Sequence, residues 1–203
     1  MSAMRVNWFE KMVVNNFVWA LIQRKVVAPV WSKSMKLPAG AVVLEVGCGR
    51  GAGAVIIVEE FNPARVDAFD LDEDMIAKAA GYIHDAYKGR INLWVGDVMA
   101  IKAAEGTYDA VFDFFNLHHV EDWRRGLSEI SRVLKPGGYF AFGELYGSAL
   151  SSRLIRPMLS HPAEGRFERE DWIKALAENG LRMMEHRRNI SNYGLMGVAR
   201  KPP

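Results

Sequence analysis

The chain has 203 residues, half hydrophobic and a quarter charged, which suits one globular domain with a modest addition better than two full domains. A net charge of +2 is too small to point to nucleic acid by itself, and the single cysteine, Cys48, excludes an internal disulfide and a cysteine-based metal cluster and suits a reducing cytoplasm. No stretch reaches the roughly 18 apolar residues of a membrane span, and the apolar run 12–22 is broken by Asn15 and Asn16 with no small-residue cleavage site after it, which reads against a signal peptide.

Residues 1–38 form a leader of distinct character. Six basic side chains (Arg5, Lys11, Arg24, Lys25, Lys33, Lys36) face Glu10 alone there, so the rest of the chain is mildly acidic. Trp8, Phe9, Met12, Val13, Phe17, Leu21 and Ile22 recur at three- and four-residue steps, predicting one or two helices over 5–25 that end by Pro29 and the Leu37-Pro38-Ala39-Gly40 turn. Then the texture changes. The apolar run 42–46 predicts a strand buried on both faces, followed by glycines and a helix over 52–61. A second strand (65–71) and helix (72–87) follow, with Asp72 and Glu73 placed to cap the helix and favour its dipole. A third strand (91–95), a fourth (108–115) and a helix over 122–134 come next, and Lys135-Pro136-Gly137-Gly138 carries the chemistry of a helix stop before a fifth strand, 139–145. Residues 146–167 break the rhythm; a helix over 170–179 closes at Gly180, and two strands, 181–190 and 193–200, form a hairpin. Alternation of strand and helix predicts a doubly wound, Rossmann-like α/β fold: a mostly parallel seven-stranded sheet with one antiparallel strand and a helical N-terminal leader. The expected division is a leader or lid over 1–38 and a ligand-binding domain over 39–203, carrying an insertion at about 146–167.

Glu45-Val46-Gly47-Cys48-Gly49-Arg50-Gly51 stands directly after the first strand and opens a helix. Ligands of a doubly wound sheet sit outside the carboxyl ends of its strands, where such a turn passes. Its glycines let backbone turn tightly and touch a ligand, and the helix start presents N–H groups to an anion. A plain strand–helix turn or a nicotinamide or flavin nucleotide site also fits, since Gly47-x-Gly49-x-x-Ala52 matches the loose dinucleotide pattern. Asp70, ending the second strand, can accept both hydroxyls of a ribose. Asp97, ending the third, can accept from an exocyclic amine such as adenine N6, or simply cap a helix.

Together these segments resemble the class I S-adenosylmethionine (SAM)-dependent methyltransferases, in particular their small-molecule, type 11-like branch. The resemblance rests on Val43–Gly51, Ala68-Phe69-Asp70-Leu71-Asp72-Glu73-Asp74-Met75, Val95-Gly96-Asp97-Val98, Tyr108-Asp109-Ala110-Val111-Phe112 leading to Leu117-His118-His119, and Glu129–Gly138, in that order and spacing. It implies that Glu45 and the loop Gly47, Cys48, Gly49 and Gly51 hold the methionine end of SAM, and that Asp70 binds the ribose. Leu71 and Met75 would lie at the cofactor, Asp97 and Val98 at the adenine edge, and Asn116 near the sulfonium and the acceptor.

In-line methyl transfer needs alignment above all, with a base only where the acceptor must lose a proton. His118 and His119 follow the fourth strand at the rim where an acceptor arrives, and Glu144 ends the fifth. These three are the candidate catalytic residues, with Tyr146 and His161 as weaker ones; the plain alternative is that they pack or orient the loop. No Asp- or Asn-Pro-Pro-aromatic motif follows strand four, where Asp113-Phe114-Phe115-Asn116 stands, which reads against methylation of DNA base amines. No basic, aromatic-rich RNA-binding appendage, no cysteine pair for arsenic and no carboxylate set for a metal is evident. The aromatic leader (Trp8, Phe9, Phe17, Trp19, Trp31) and the insertion, with Arg153, Arg156 and Arg166, would cover a small apolar or aromatic acceptor; the leader could also touch an anionic membrane or a second copy of the chain. The expected activity is therefore SAM-dependent methyl transfer to a small molecule, without nucleic acid. A SAM-binding regulatory or structural protein without turnover is the alternative.

Overall fold

A computed structural model describes residues 17–150 and 166–203. Trp8, Phe9, Arg153, Arg156 and His161 lie outside the described residues. The described leader is an unbroken run of α1 (Phe17–Ile22), a π-helical turn (Gln23–Val27) and α2 (Ala28–Ser32). Helix therefore passes through Pro29 instead of ending there. The reason is local: Pro29 occupies the first turn of α2, where an N–H is not required, and the Ala28 N–H reaches back five residues to Gln23 O.

Eight strands form one sheet in the order β3-β2-β1-β4-β5-β8-β6, with β7 also on β8. β1 (Val42–Val46), β2 (Arg65–Asp70), β3 (Ile91–Val95), β4 (Tyr108–Phe114) and β5 (Leu134–Leu145) run parallel. β8 (Gly194–Arg200) lies antiparallel to β5. β6 (Arg182–Met183) and β7 (Arg188–Ile190) are two pieces of one interrupted strand along β8, so the expected hairpin and seven-stranded plan hold, with a break at 184–187. Apolar strands follow from helices on both faces.

α3 (Ala52–Phe61) starts at Gly51 and, with Trp31 of α2, packs on Phe112 and Phe114. Trp31 is fully buried, and its indole N–H donates to Phe142 O at 3.1 Å, tying the leader to β5. The opposite face carries α6 (Trp123–Val133) and α7 (Arg169–Glu178), joined by a cluster of Trp123, Phe140, Phe142, Phe167 and Trp172.

Two boundaries differ from expectation. The helix predicted over 72–87 is α4 (Glu73–Tyr82) and α5 (Asp85–Lys88), because Ile83 and His84 turn extended and the His84 ring caps the second piece. Lys135-Pro136-Gly137-Gly138 is not a turn before β5 but part of it: Leu134 already pairs with Tyr108. The register then shifts, the proline lacking a ladder N–H and Gly137 taking a positive φ of 80°. Among the described residues, no helix is long and apolar enough to cross a membrane.

Candidate active site

The carboxyl ends of β1, β2, β4 and β5 bring the conspicuous residues together. Gly47, Gly49 and Gly51 all take left-handed backbone (φ 66°, 52° and 86°), which any side chain would strain. A Cβ on Gly49 would meet nothing within 4 Å, so the crest of this loop faces open space. Asp70 braces the loop: its Oδ2 accepts the Gly49 N–H at 2.8 Å and its Oδ1 the Asp72 N–H at 2.9 Å. The carboxylate predicted to meet a ribose is thus already oriented at the crest of the loop.

Glu45 lies beneath, 1% exposed, with Oε1 packed so closely on Gly53 that a Cβ there would be 1.9 Å away. It accepts the Ala54 N–H in the first turn of α3, a group left without a helical partner. Its Oε2 is buried and receives no hydrogen bond. Burial, together with the Asp70 and Asp113 carboxyls, raises the Glu45 pKa well above the usual carboxylate range. A bound group carrying an ammonium or sulfonium charge would complement this acidic cluster, and the bare crest has room for it. The residues present therefore fit SAM.

The remaining predicted cofactor residues are distributed along this edge. Cys48 is buried, its N–H bonded to Phe69 O and its thiol aimed at Gly49 O; burial pushes the thiol pKa up, so it serves as packing beneath the loop. Leu71 is exposed beside Asp70, whereas Met75, in the first turn of α4, is buried. Asp97 caps the 3₁₀ turn Val98–Ala100 through the Met99 N–H, and Val98 is buried.

After β4 the chain turns sharply through Phe115, whose φ is 65°, into the 3₁₀ turn Leu117–His119. Phe115 fits over Gly143, where a Cβ would lie 2.5 Å from its ring, and Trp19 of the leader meets it edge-on at 5.4 Å. Asn116 packs against Gly47, joining this turn to the cofactor loop.

Two of the candidate catalytic residues are placed otherwise than expected. Glu144 is fully buried and His118 is 6% exposed, so neither is at the acceptor rim. Glu144 accepts from Leu117 N (3.0 Å) and His118 N (3.2 Å), and its Oε2 lies 2.6 Å from His118 Nδ1. Burial pushes the Glu144 pKa up to about 7 and holds that of His118 down to about 4. His119, half-buried, lies against His118, the ring centroids 4.2 Å apart and the planes tilted by 38°. Tyr146 is buried with its hydroxyl unpaired. Asp113, buried below this turn, was not singled out from sequence; its only signal is a carboxylate at an inward position of the apolar strand Tyr-Asp-Ala-Val-Phe-Asp-Phe. Among the described residues no group of three or more His, Cys, Asp or Glu could hold a metal ion.

The comparisons agree with this geometry. The family model described as a methyltransferase domain matches residues 43–138. The chain is 33% identical over 178 residues to a demethylmenaquinone methyltransferase of Shouchella clausii, covering 82% of this chain and 75% of that enzyme. It is 30% identical over 148 residues to a fatty-acid O-methyltransferase of Mycolicibacterium smegmatis, covering 73% of this chain but only 46% of that longer protein. In fold it is similar to geranyl diphosphate C-methyltransferase from Streptomyces coelicolor A3(2), whose structure holds S-adenosyl-L-homocysteine, with a TM-score of 0.72 at 14% identity over 86% of this chain and 74% of that one. On the loop, the acidic residues that brace it and these relatives, the chain belongs to the class I SAM-dependent methyltransferases, of the type 11-like group.

Proposed function

We propose that the chain transfers the methyl group of SAM to a small apolar or aromatic acceptor received between the leader and the turn after β4. The observation that carries this reading is the contact of Trp19 with Phe115: it sets the leader's aromatic face against the turn that also holds Asn116 and His119. α1 also carries the exposed apolar side chains Phe17, Val18, Leu21 and Ile22. The names of the relatives, a fatty-acid and a demethylmenaquinone methyltransferase, denote small apolar acceptors and support the same class.

SAM brings an electrophilic methyl on a cationic sulfur; the protein's part is alignment and charge. In this reading Glu45, Gly47, Gly49 and Gly51 hold the methionine end, Asp70 the ribose, Leu71, Asp97 and Val98 the adenine, and Asn116 faces the sulfonium side. His119 takes a proton where the acceptor must lose one. The leader over 1–38 and the segment around 146–167 cover the acceptor, and a cytoplasmic setting belongs to the same reading.

Incubation with methyl-labelled SAM and panels of quinols, phenols and long-chain fatty acids, against peptide and RNA panels, tests it. Label in the solvent-extractable acceptors is expected. Label confined to peptide or RNA, or no label with any acceptor, overturns it.

A further inference from the structure

We infer that Asp113, Glu144 and His118 form one hydrogen-bonded unit with, above neutral pH, a single ionised member, Glu144. Asp113 keeps its proton, His118 is the neutral Nδ1–H tautomer, and the unit positions the acceptor-side turn without exchanging protons with substrate.

The assignment follows from counting donors. A carboxylate is acceptor-only and needs donors around both oxygens when it is buried. Glu144 has them: the Leu117 N–H on Oε1, and the His118 N–H and the ring Nδ1 on Oε2. Asp113 has one donor, the Asn116 N–H at 2.7 Å on Oδ1, and its Oδ2 is buried with none. The two buried carboxyls act on each other's proton affinity, as like charges held together do, which favours one proton between them. Placed on Asp113 Oδ2 and given to Glu144, that proton leaves no oxygen of the pair unmatched. Placed on Glu144, it would sit among N–H donors and leave Asp113 charged with a single partner. The same count fixes the histidine. With Glu144 ionised, Nδ1 must carry the hydrogen it shares at 2.6 Å, and the lone pair falls on Nε2. A second proton on this ring, 6% exposed, would put a cation in the interior.

The consequence is mechanical. Backbone N–H groups of Asn116, Leu117 and His118 are all held by these two carboxyls, and Asn116 in turn fills the hollow over Gly47. One connected path therefore runs from the ends of β4 and β5 through the turn to the cofactor loop. Glu144 and Asp113 are positioning residues, and their role does not depend on which acceptor is methylated.

The test reads protonation directly and needs no acceptor. In the full-length protein, ¹⁵N spectra of the His118 ring from pH 8 to 9 are expected to show a neutral ring protonated at Nδ1. Asp113→Asn, which can still donate to Glu144 and accept from Asn116, should keep that signature and hold S-adenosylhomocysteine within about threefold of wild type. Glu144→Gln has one acceptor oxygen and an amide that must donate to His118 Nδ1. It should move the proton to Nε2 and weaken S-adenosylhomocysteine by about tenfold or more. A wild-type ring protonated at Nε2 or at both nitrogens overturns the proposal even if a variant fails to fold. So does an Asp113→Asn protein that loses the Nδ1–H signature while Glu144→Gln keeps it.

Discussion

The side chain of Asn116 lies where a side chain on Gly47 would have to begin, its Cγ and Oδ1 being 2.2 Å from the position of a Cβ on that glycine. The cofactor loop and the acceptor-side turn are thus fitted to each other, and the fit depends on a missing atom. Gly47→Ala imposes both this overlap and left-handed backbone at φ 66°, the latter costing about 1–2 kcal/mol alone. We expect it to weaken S-adenosylhomocysteine by at least about tenfold in titration calorimetry. The double variant Gly47→Ala/Asn116→Gly removes the overlap and keeps the strain, so it should recover part of the loss. No recovery would show that backbone strain alone accounts for the defect.

Asp70 accepts two backbone N–H groups, from Gly49 and Asp72, so its carboxylate shapes the loop; in the proposed function it also binds the ribose. Asp70→Ala should weaken SAM binding by about 1–3 kcal/mol, because charge-assisted hydrogen bonds are lost. Asp70→Asn retains one carbonyl acceptor and should fall between the two. Titration of each variant with SAM and S-adenosylhomocysteine checks the order, and unchanged affinity in Asp70→Ala would rule out the ribose assignment.

The parallel sheet was legible because its strands are short apolar runs punctuated by glycine and acidic residues at their carboxyl ends, and periodicity of that kind is a backbone property. Glu45, Asp70 and the glycines could be placed for the same reason. What could not be read were relations across strands. Lys135-Pro136-Gly137-Gly138 has the local chemistry of a stop, yet the pairing of Leu134 with Tyr108 draws it into β5. His118 and Glu144 are polar residues at strand ends, which in sequence is indistinguishable from a rim position; only the 2.6 Å contact between them, 26 residues apart, shows that they satisfy each other in the interior. Pro29 reads as a helix stop until the π turn before it removes the need for its N–H.

His118 and His119, adjacent in sequence, should behave differently. His119→Ala leaves the Glu144 bonds in place, so S-adenosylhomocysteine affinity and melting temperature should be near wild type. Turnover with a proton-bearing acceptor should fall by about 10²–10⁴-fold if His119 is the base. His118→Ala removes a buried ring and leaves a Glu144 oxygen without its Nδ1 partner, and should destabilise the fold by about 2–4 kcal/mol. Calorimetry and denaturant melts separate the two, and equal loss of stability in both variants would refute the distinction.

The buried ionisable groups also set how stability depends on pH. On the acid side they oppose one another. Burial holds the His118 pKa down to about 4, so its contribution is present above its usual range near 6.5 and lost as pH falls towards 4. Glu144, raised to about 7, works in the opposite direction: its contribution is present below about 4.5 and lost as pH rises through 7. Between those limits the two partly cancel. On the alkaline side the buried groups act together. Cys48, Tyr108 and Tyr146 all have pKa values raised by burial, that of Tyr146 from about 10 to about 12, so the native state keeps protons that the unfolded chain gives up. Stability present below pH 9 should therefore fall steadily as pH rises from 9 to 12, Tyr146 accounting for about 1–3 kcal/mol of it. Tyr146→Phe removes a buried hydroxyl that has no partner. It should leave the protein as stable as wild type or more stable by about 1 kcal/mol at pH 7, and should flatten part of the alkaline decline. Thermal melts of both proteins between pH 7 and 11 measure this directly, and parallel curves would mean that the Tyr146 hydroxyl is solvated in the native state.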